Sequence, residues 1–384
     1  MIEDRPLRVS LVTGTYPPVQ CGVGFHTAFL ARALVAQGVE VTVITWEHGQ
    51  GGSRGLHPDD PWVITLDASP LHWRLVSDRL EQIRPDVVHV QLPVRRDRLR
   101  SVLLFPLLRM TYRRAPVLLT LHEFTEGRML SFARGAALIA GAEHVIFPNP
   151  RDLDIARRLF PRAKARFHHI PIGPTLPIEQ ALRNGQPLRE AHALAYLGIL
   201  YPGKGLEVLL MAVARVASRF RHVRLHILSA FDPHQRYHRH LRDLADRLAI
   251  ADQVVWYSYL SSEEVAARLV RCSIACLPYP QGATLRRSTL LEALAAGTAV
   301  ITTRTRWTPD HLISAGAAWF VPPGDVTALA TAIERLWQDS DLAQFLRERG
   351  QALSREFTWD VIASQTVQLY QKVLEHHVRS ANIA

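Results

Sequence analysis

Short β-branched runs alternate with longer helix-like stretches from one end of this chain to the other, and they form two series. RVSLVTG, VEVTVIT, DVVHVQ, PVLLTLH and HVIFPN read as buried parallel strands. Between them lie segments such as FHTAFLARALVAQG, with apolar residues at helical spacing and a closing glycine. The pattern breaks over GPTLPIEQALRNGQPLRE and then restarts with ALAYLGIL, HVRLHILS, QVVWYSY, CSIACLP, TAVITT and AWFVPP. Strand–helix alternation of this kind implies a doubly wound parallel sheet, here twice: an α/β chain of two Rossmann-like domains. The expected domains are residues 1–176 and 190–356, joined near residues 174–190. A final helix within 357–384 is free to cross back to the first. Two such domains facing each other would put the carboxyl ends of their strands on opposite walls of a central cleft. Ligands in open sheets bind beyond those ends.

Composition narrows the class. With 384 residues and 48% of them apolar, the chain can build sizeable cores. No apolar run reaches the roughly 18–20 residues that span a bilayer. The N-terminus, MIEDRPLRVSLVTG, lacks the pattern of a secretion signal. Cys21, Cys272 and Cys276 form no metal-ligand spacing, which fits a cytoplasmic compartment. The net charge of +10 is carried by arginine, since only Lys164, Lys204 and Lys372 are lysines. Part of the excess is local: residues 95–114, RRDRLRSVLLFPLLRMTYRR, hold seven arginines against one aspartate. That segment reads either as an amphipathic helix with a solvated basic face or as a peripheral contact with anionic lipid at the inner face of the membrane. No nucleic-acid module accompanies the charge.

The strand-to-helix loops carry the chemistry. In TGTYPPVQCGVGFHTAFLARAL, Gly22 and Gly24 allow the backbone to approach a ligand before the helix begins; a plain structural turn is the alternative. A dinucleotide fingerprint, with Glu47 on a ribose, is disfavoured by two prolines and by Thr27 at the third glycine position. PVLLTLHE leaves His122 and Glu123 beyond a strand, where an imidazole can move a proton or hydrogen-bond a sugar hydroxyl. In GILYPGKGLEVLL, Lys204 lies between glycines at a helix mouth, suited to a phosphate. In QGATLRRSTLLEALAAG, Arg286 and Arg287 precede a helix whose N-terminus is already positive. Arg286, Arg287, Ser288, Thr289 and the first helical N–H groups form a candidate anion site there. Glu292 admits two readings: a capping box with Thr289, or a carboxylate gripping two vicinal ribose hydroxyls.

Taken in order, these pieces resemble the GT-B glycosyltransferases of family 4 type, the glycogen synthase-like group, over nearly the whole chain. PPVQCGVGFHTAFLARAL matches the family opening PP-x-x-GG-x-G-x-H, with Cys21 in place of the first glycine. PDVVH stands at 85–89, Thr120-Leu121-His122-Glu123 matches T-x-H-D, and GILYPGKGLEVLL matches GR-x-x-x-x-KG-x-x-x-LL. LLEALAAGTAVITT and Phe357-Thr358-Trp359 complete the set. The resemblance implies a retaining transfer of a sugar from a nucleotide-diphosphate donor to a glycan, glycolipid or other hydroxyl acceptor. It implies no metal and no cofactor, because cationic side chains and a helix N-terminus stabilise the leaving group. It places Gly22 and Gly24 near the donor phosphates and sugar, His122 on the transferred sugar, Lys204 on the pyrophosphate and Glu292 on the ribose. Two positions depart from the pattern: the family arginine is Ile199, and the first glutamate of its acidic pair is Thr284, whose hydroxyl can still bond the sugar. These losses keep a second reading open, a nucleotide-sugar-binding protein without turnover. A UDP-sugar 2-epimerase is a third, disfavoured by the Pro-Pro…Gly-x-Gly opening.

Overall fold

The computed structural model describes residues 5–19, 21–46, 53–54, 61–66, 72–92, 107–122, 124, 129–183 and 188–381. Glu47, Glu123 and residues 95–106 of the arginine-rich run lie outside them. By contacts the chain divides into two units, residues 1–173 with 359–384, and residues 174–358.

The first unit is built on an eight-stranded sheet in the order β3-β4-β2-β1-β5-β6-β7-β8. Its strands are β1 (Arg8–Thr13), β2 (Glu40–Thr45), β3 (Ser53–Arg54), β4 (Trp62–Thr65), β5 (Val87–Leu92), β6 (Val117–Leu121), β7 (His144–Phe147) and β8 (Phe167–His169). All neighbours run parallel except β3 and β4. The central strands are buried along their length, as a sheet covered on both faces requires. Helices α1 (Gly22–Ala36), α2 (His72–Ile83), α3 (107–111), α4 (Met129–Gly141) and α5 (Pro150–Leu159) connect them. The closing glycine of α1 is Gly38, at φ 81°, whose N–H reaches the Val35 carbonyl. The last helix, α14 (Trp359–Ala381), packs its Ile362, Ala363, Tyr370 and Val373 into one core with Leu30 and Leu34 of α1 and Val9 and Leu11 of β1.

Two of the three described arginines in the basic run are ion-paired: Arg109 to Glu143 at 2.8 Å and Arg114 to Glu81 at 2.6 Å. Leu108 and Tyr112 beside them are core residues. Among the described residues, no helix is long and apolar enough to cross a membrane.

The second unit holds a six-stranded, all-parallel sheet in the order β11-β10-β9-β12-β13-β14. These are β9 (Glu190–Leu197), β10 (Arg224–Ala230), β11 (Val254–Tyr257), β12 (Cys272–Leu277), β13 (Ala299–Thr303) and β14 (Trp319–Val321). The helices are α6 (Ile178–Leu182), α7 (Leu206–Ala217), α8 (Arg236–Arg247), α9 (Ser262–Arg271), α10 (Ser288–Ala295), α11 (Asp310–Ser314), α12 (Val326–Gln338) and α13 (Ser340–Ser354). Both sheets are of the α/β, doubly wound kind expected. Cys272 and Cys276 lie buried on β12, where they pack as small apolar residues.

Candidate functional sites

Near the middle of each sheet the strand order switches direction, and in open α/β sheets ligands bind beyond the carboxyl ends of the two strands flanking such a switch. In the first unit these strands are β1 and β5; in the second they are β9 and β12. The loops following these strands carry most of the residues singled out by sequence.

In the second unit, β9 runs through residues 198–205 into α7. Gly205 caps α7 in the left-handed region at φ 81°, and a Cβ there would collide with the carbonyl oxygen of Pro278. The turn that carries Lys204 thus rests directly on the loop that follows β12. The Lys204 ammonium sits 4.5 Å from the centre of the exposed Tyr201 ring. Gly205→Ala is expected to lower the melting temperature by several degrees, because a left-handed alanine alone costs about 1–2 kcal/mol and the Pro278 loop must also move. Gly203, at φ 85° with open space where its Cβ would go, should tolerate the same change with the smaller loss. Equal melts for the two variants would contradict the contact with Pro278.

After β12, the chain turns through residues 278–287. Tyr279 is buried, its hydroxyl pushed up to about 12 by that burial. The hydroxyl lies 2.7 Å from Thr289 Oγ1, and the Arg287 guanidinium sits 4.1 Å from the ring centre. Arg287 is the N-cap of α10 in an extended conformation and supplies no side-chain cap; Gly205 supplies none to α7 either. Arg286 and Ser288 are half-buried beside it. Two buried polar atoms in this loop have no hydrogen-bond partner among the described residues: Thr284 Oγ1 and Arg287 Nε. Such atoms cost roughly 1–3 kcal/mol each and call for an explanation in a native fold. Ile199, at the position of the family arginine, is 73% exposed.

The capping box is not formed. Thr289 is the second residue inside α10, so it cannot cap the helix, and its hydroxyl is spent on Tyr279. Glu292 is 2% exposed, and its Oε1 accepts from both the N–H (3.0 Å) and the hydroxyl (2.8 Å) of Thr175. The Leu176 N–H also donates to this carboxylate; burial pushes its pKa up, and these donors oppose the rise. Any ribose reaching Glu292 must share or displace these bonds.

In the first unit, Cys21 is the N-cap of α1, in an extended conformation and without a side-chain capping bond. Gly24 is explained by packing, since a Cβ there would stand 3.0 Å from the Thr15 carbonyl oxygen. Gly22 differs: among the described residues nothing lies within 4 Å of its Cβ position, so they leave that face of the first turn open. His122 follows β6, half-buried, with Nε2 2.8 Å from Oε1 of Gln91. Against it stands a residue not singled out by sequence. The His26 ring lies edge-on to His122 at 4.7 Å and 5.2 Å from Trp359. It is 7% exposed, its Nδ1 has no partner among the described residues, and burial lowers its pKa to about 4. The signal for it was present, as the histidine of G-x-G-x-H.

The structure therefore places Gly22 and His26 in the first turns of α1, which follows β1 at one reversal point, with His122 beyond the neighbouring β6 in ring contact with His26; Lys204, Thr284, Arg286 and Arg287 lie in the loops at the other reversal point, with Ser288 and Thr289 opening α10. Glu292 stands behind the second group. The chain matches known sequences over both units: "Glycosyltransferase Family 4" over residues 21–174 and "Glycosyl transferases group 1" over residues 191–339. It is 31% identical to an MMP alpha-(1->4)-mannosyltransferase of Mycolicibacterium hassiacum over 54% of this chain and 49% of that protein, about half the length of that relative. It is 24% identical to a phosphatidyl-myo-inositol mannosyltransferase of Mycolicibacterium smegmatis over 96% of this chain and 94% of that one. Among solved structures, a sucrose-phosphate synthase from Thermosynechococcus elongatus superposes with a TM-score of 0.77, covering 97% of this chain and all of that one at 20% identity. With a glycosyltransferase match in each unit and two doubly wound sheets, the chain belongs to the GT-B glycosyltransferases of family 4 type.

Proposed function

We propose that this glycosyltransferase moves a hexose from a nucleotide-diphosphate sugar to a hydroxyl of a glycan or glycolipid, with retention at the anomeric carbon and without a metal. The observation that carries the reading is the loop pair after β9 and β12. Two helix N-termini without side-chain caps, α7 and α10, open beside Lys204, Arg286 and Arg287, and the buried Thr284 hydroxyl there lacks a partner among the described residues. Helix N-termini and cations are suited to a diphosphate, and their value rises as negative charge builds on it during departure. In this role Lys204 meets the pyrophosphate, and Arg287, braced over Tyr279, supplies the charge that Ile199 does not. Thr284 takes a sugar or phosphate oxygen in place of the family carboxylate. The first unit supplies Gly22 beside the donor phosphates and His122, with His26 behind it, on the transferred sugar. The named mannosyltransferase relatives support a glycan or glycolipid acceptor.

Proton NMR of the product, formed in excess EDTA, tests both finer points. The expected product keeps the donor's anomeric configuration at an unchanged rate. The opposite configuration refutes retention, and loss of transfer in EDTA refutes metal independence.

A further inference from the structure

Inside the first unit, a chain of buried polar groups runs from His122 to the last helix, and the functional reading uses only its first member. His89 and Gln91 stand two residues apart on β5, so they share a face; Thr120 is opposite Gln91 on β6. The Gln91 side-chain nitrogen is 3.2 Å from His89 Nε2, and Thr120 Oγ1 is 2.6 Å from the same atom. His89 Nδ1 is 2.7 Å from the hydroxyl of Tyr370 on α14. All four residues are buried.

With the Gln91 amide oxygen toward His122 and its nitrogen toward His89, as the structure places them, the contacts set the hydrogens. An amide oxygen only accepts, so His122 Nε2 carries a hydrogen and donates it to Gln91 Oε1. An amide nitrogen only donates, so His89 Nε2 carries its lone pair there, accepting from the Thr120 hydroxyl at 2.6 Å with the Gln91 amide N–H sharing it at the longer 3.2 Å. Burial holds the His89 imidazole neutral, with its pKa near 3, so its single hydrogen is on Nδ1 and goes to the Tyr370 oxygen. His122 is kept neutral in the same way, by burial and by His26 and His89 as neighbours. Its one hydrogen is already spent on Gln91. Nδ1 is then a bare acceptor.

We propose that Gln91 and His89 are positioning residues that lock His122 as its Nε2–H tautomer, leaving Nδ1 to accept a hydrogen bond from a hydroxyl of the transferred sugar. The inference rests on the reading of His122 as the side chain that meets that sugar. Tyr370 anchors the far end, so α14 takes part in setting the orientation of a group beside the reversal point. A chain of this kind matters because either nitrogen of a free neutral imidazole can hold the hydrogen, and the other tautomer would donate to the sugar hydroxyl instead of accepting from it.

Long-range 1H–15N correlation on the full chain labelled at histidine reads the tautomer directly, with His122 assigned by its absence in His122→Gln. The wild-type spectrum at neutral pH is expected to show the Nε2–H pattern for His122 and the Nδ1–H pattern for His89. In Gln91→Leu the single pattern of His122 should give way to a mixture of both tautomers, while a buried residue of purely structural role would leave it unchanged. In Gln91→Glu the carboxylate still accepts from Nε2, so the pattern returns and the His122 titration moves to higher pH. Adding GDP-mannose or UDP-glucose, whichever raises the melting temperature, should shift Nδ1 more than Nε2. A wild-type His122 protonated on Nδ1, or an unchanged pattern in Gln91→Leu, overturns the lock. A ligand shift confined to Nε2 overturns the acceptor role. Failure of both nucleotide sugars to raise the melting temperature counts instead against the functional reading, which the spectrum of the free protein does not depend on.

Discussion

Lys204→Ala is expected to lower kcat/KM for sugar transfer by about 10²–10³ while leaving the melting temperature of the free protein almost unchanged. The size follows from removing one cation from a site of developing charge, where a single such donor is worth roughly 3–4 kcal/mol in the transition state. The unchanged stability follows from where the ammonium rests. It sits over an exposed tyrosine ring, a cation–π contact worth about 0.5–1 kcal/mol at such a site. A lysine held so lightly can swing to a diphosphate at little cost. Arg287 is the useful comparison, because its guanidinium is stacked on the buried Tyr279 and its Nε is buried. Arg287→Ala should therefore lower both activity and melting temperature. Steady-state kinetics and thermal melts on the two variants separate these cases. A Lys204→Ala protein with full activity would remove the lysine from the mechanism and weaken the assignment of its loop.

Lowering the pH from 7 to 5 is expected to destabilise the protein by several kcal/mol, starting in the first unit. His26 and His89 have pKa values near 4 and near 3 in the fold, both lowered chiefly by burial, against 6.5 when exposed. The unfolded chain therefore binds protons first as the pH falls through 6.5, and proton uptake pulls the equilibrium toward unfolding. At pH 5 each of these two buried groups costs about 2 kcal/mol, and the loss continues until the folded values are passed. His144 and His168, stacked with ring nitrogens 3.1 Å apart and lowered to about 4, act in the same direction but are less buried. Carboxylates of ordinary pKa stay ionised over most of this window, so the histidines dominate it. Urea titrations at pH 7, 6 and 5 should show the midpoint falling at each step. A midpoint that holds or rises toward pH 5 would mean that these imidazoles are not buried in neutral form.

How far the site could be read in advance depended on whether the information was local. A strand, a loop and a helix mouth are written in consecutive residues, so GILYPGKGLEVLL placed Lys204 correctly at the amino end of α7. The same holds for Arg286 and Arg287 before α10 and for His122 after β6. Glu292 failed the local test. Thr289 and Glu292 have the spacing of a capping box, but the true partner, Thr175, lies 117 residues away in sequence. The chain from His122 to Tyr370 was invisible for the same reason, since its ends are joined by sheet register and by the packing of α14 on the first unit. Strands β3, β4 and β8 were also missed; they are only two to four residues long, β3 and β8 form the two sheet edges, and β4 is a four-residue apolar run too short to stand out. Gly22 and Gly24 looked alike in sequence, and only the position of the Thr15 carbonyl tells them apart.

The central claim is that the loops after β9 and β12 hold a nucleotide diphosphate by cations and helix N-termini. Thermal melts with UDP, GDP, ADP and CDP sugars, each with and without EDTA, on wild type and Lys204→Ala test it most directly. A ligand at about 100 times its dissociation constant adds roughly 2.7 kcal/mol to the native state, enough to read as a shift. The expected result is stabilisation by one nucleotide, untouched by EDTA and much reduced in Lys204→Ala. Silence across the panel, or a shift that EDTA abolishes, would contradict it.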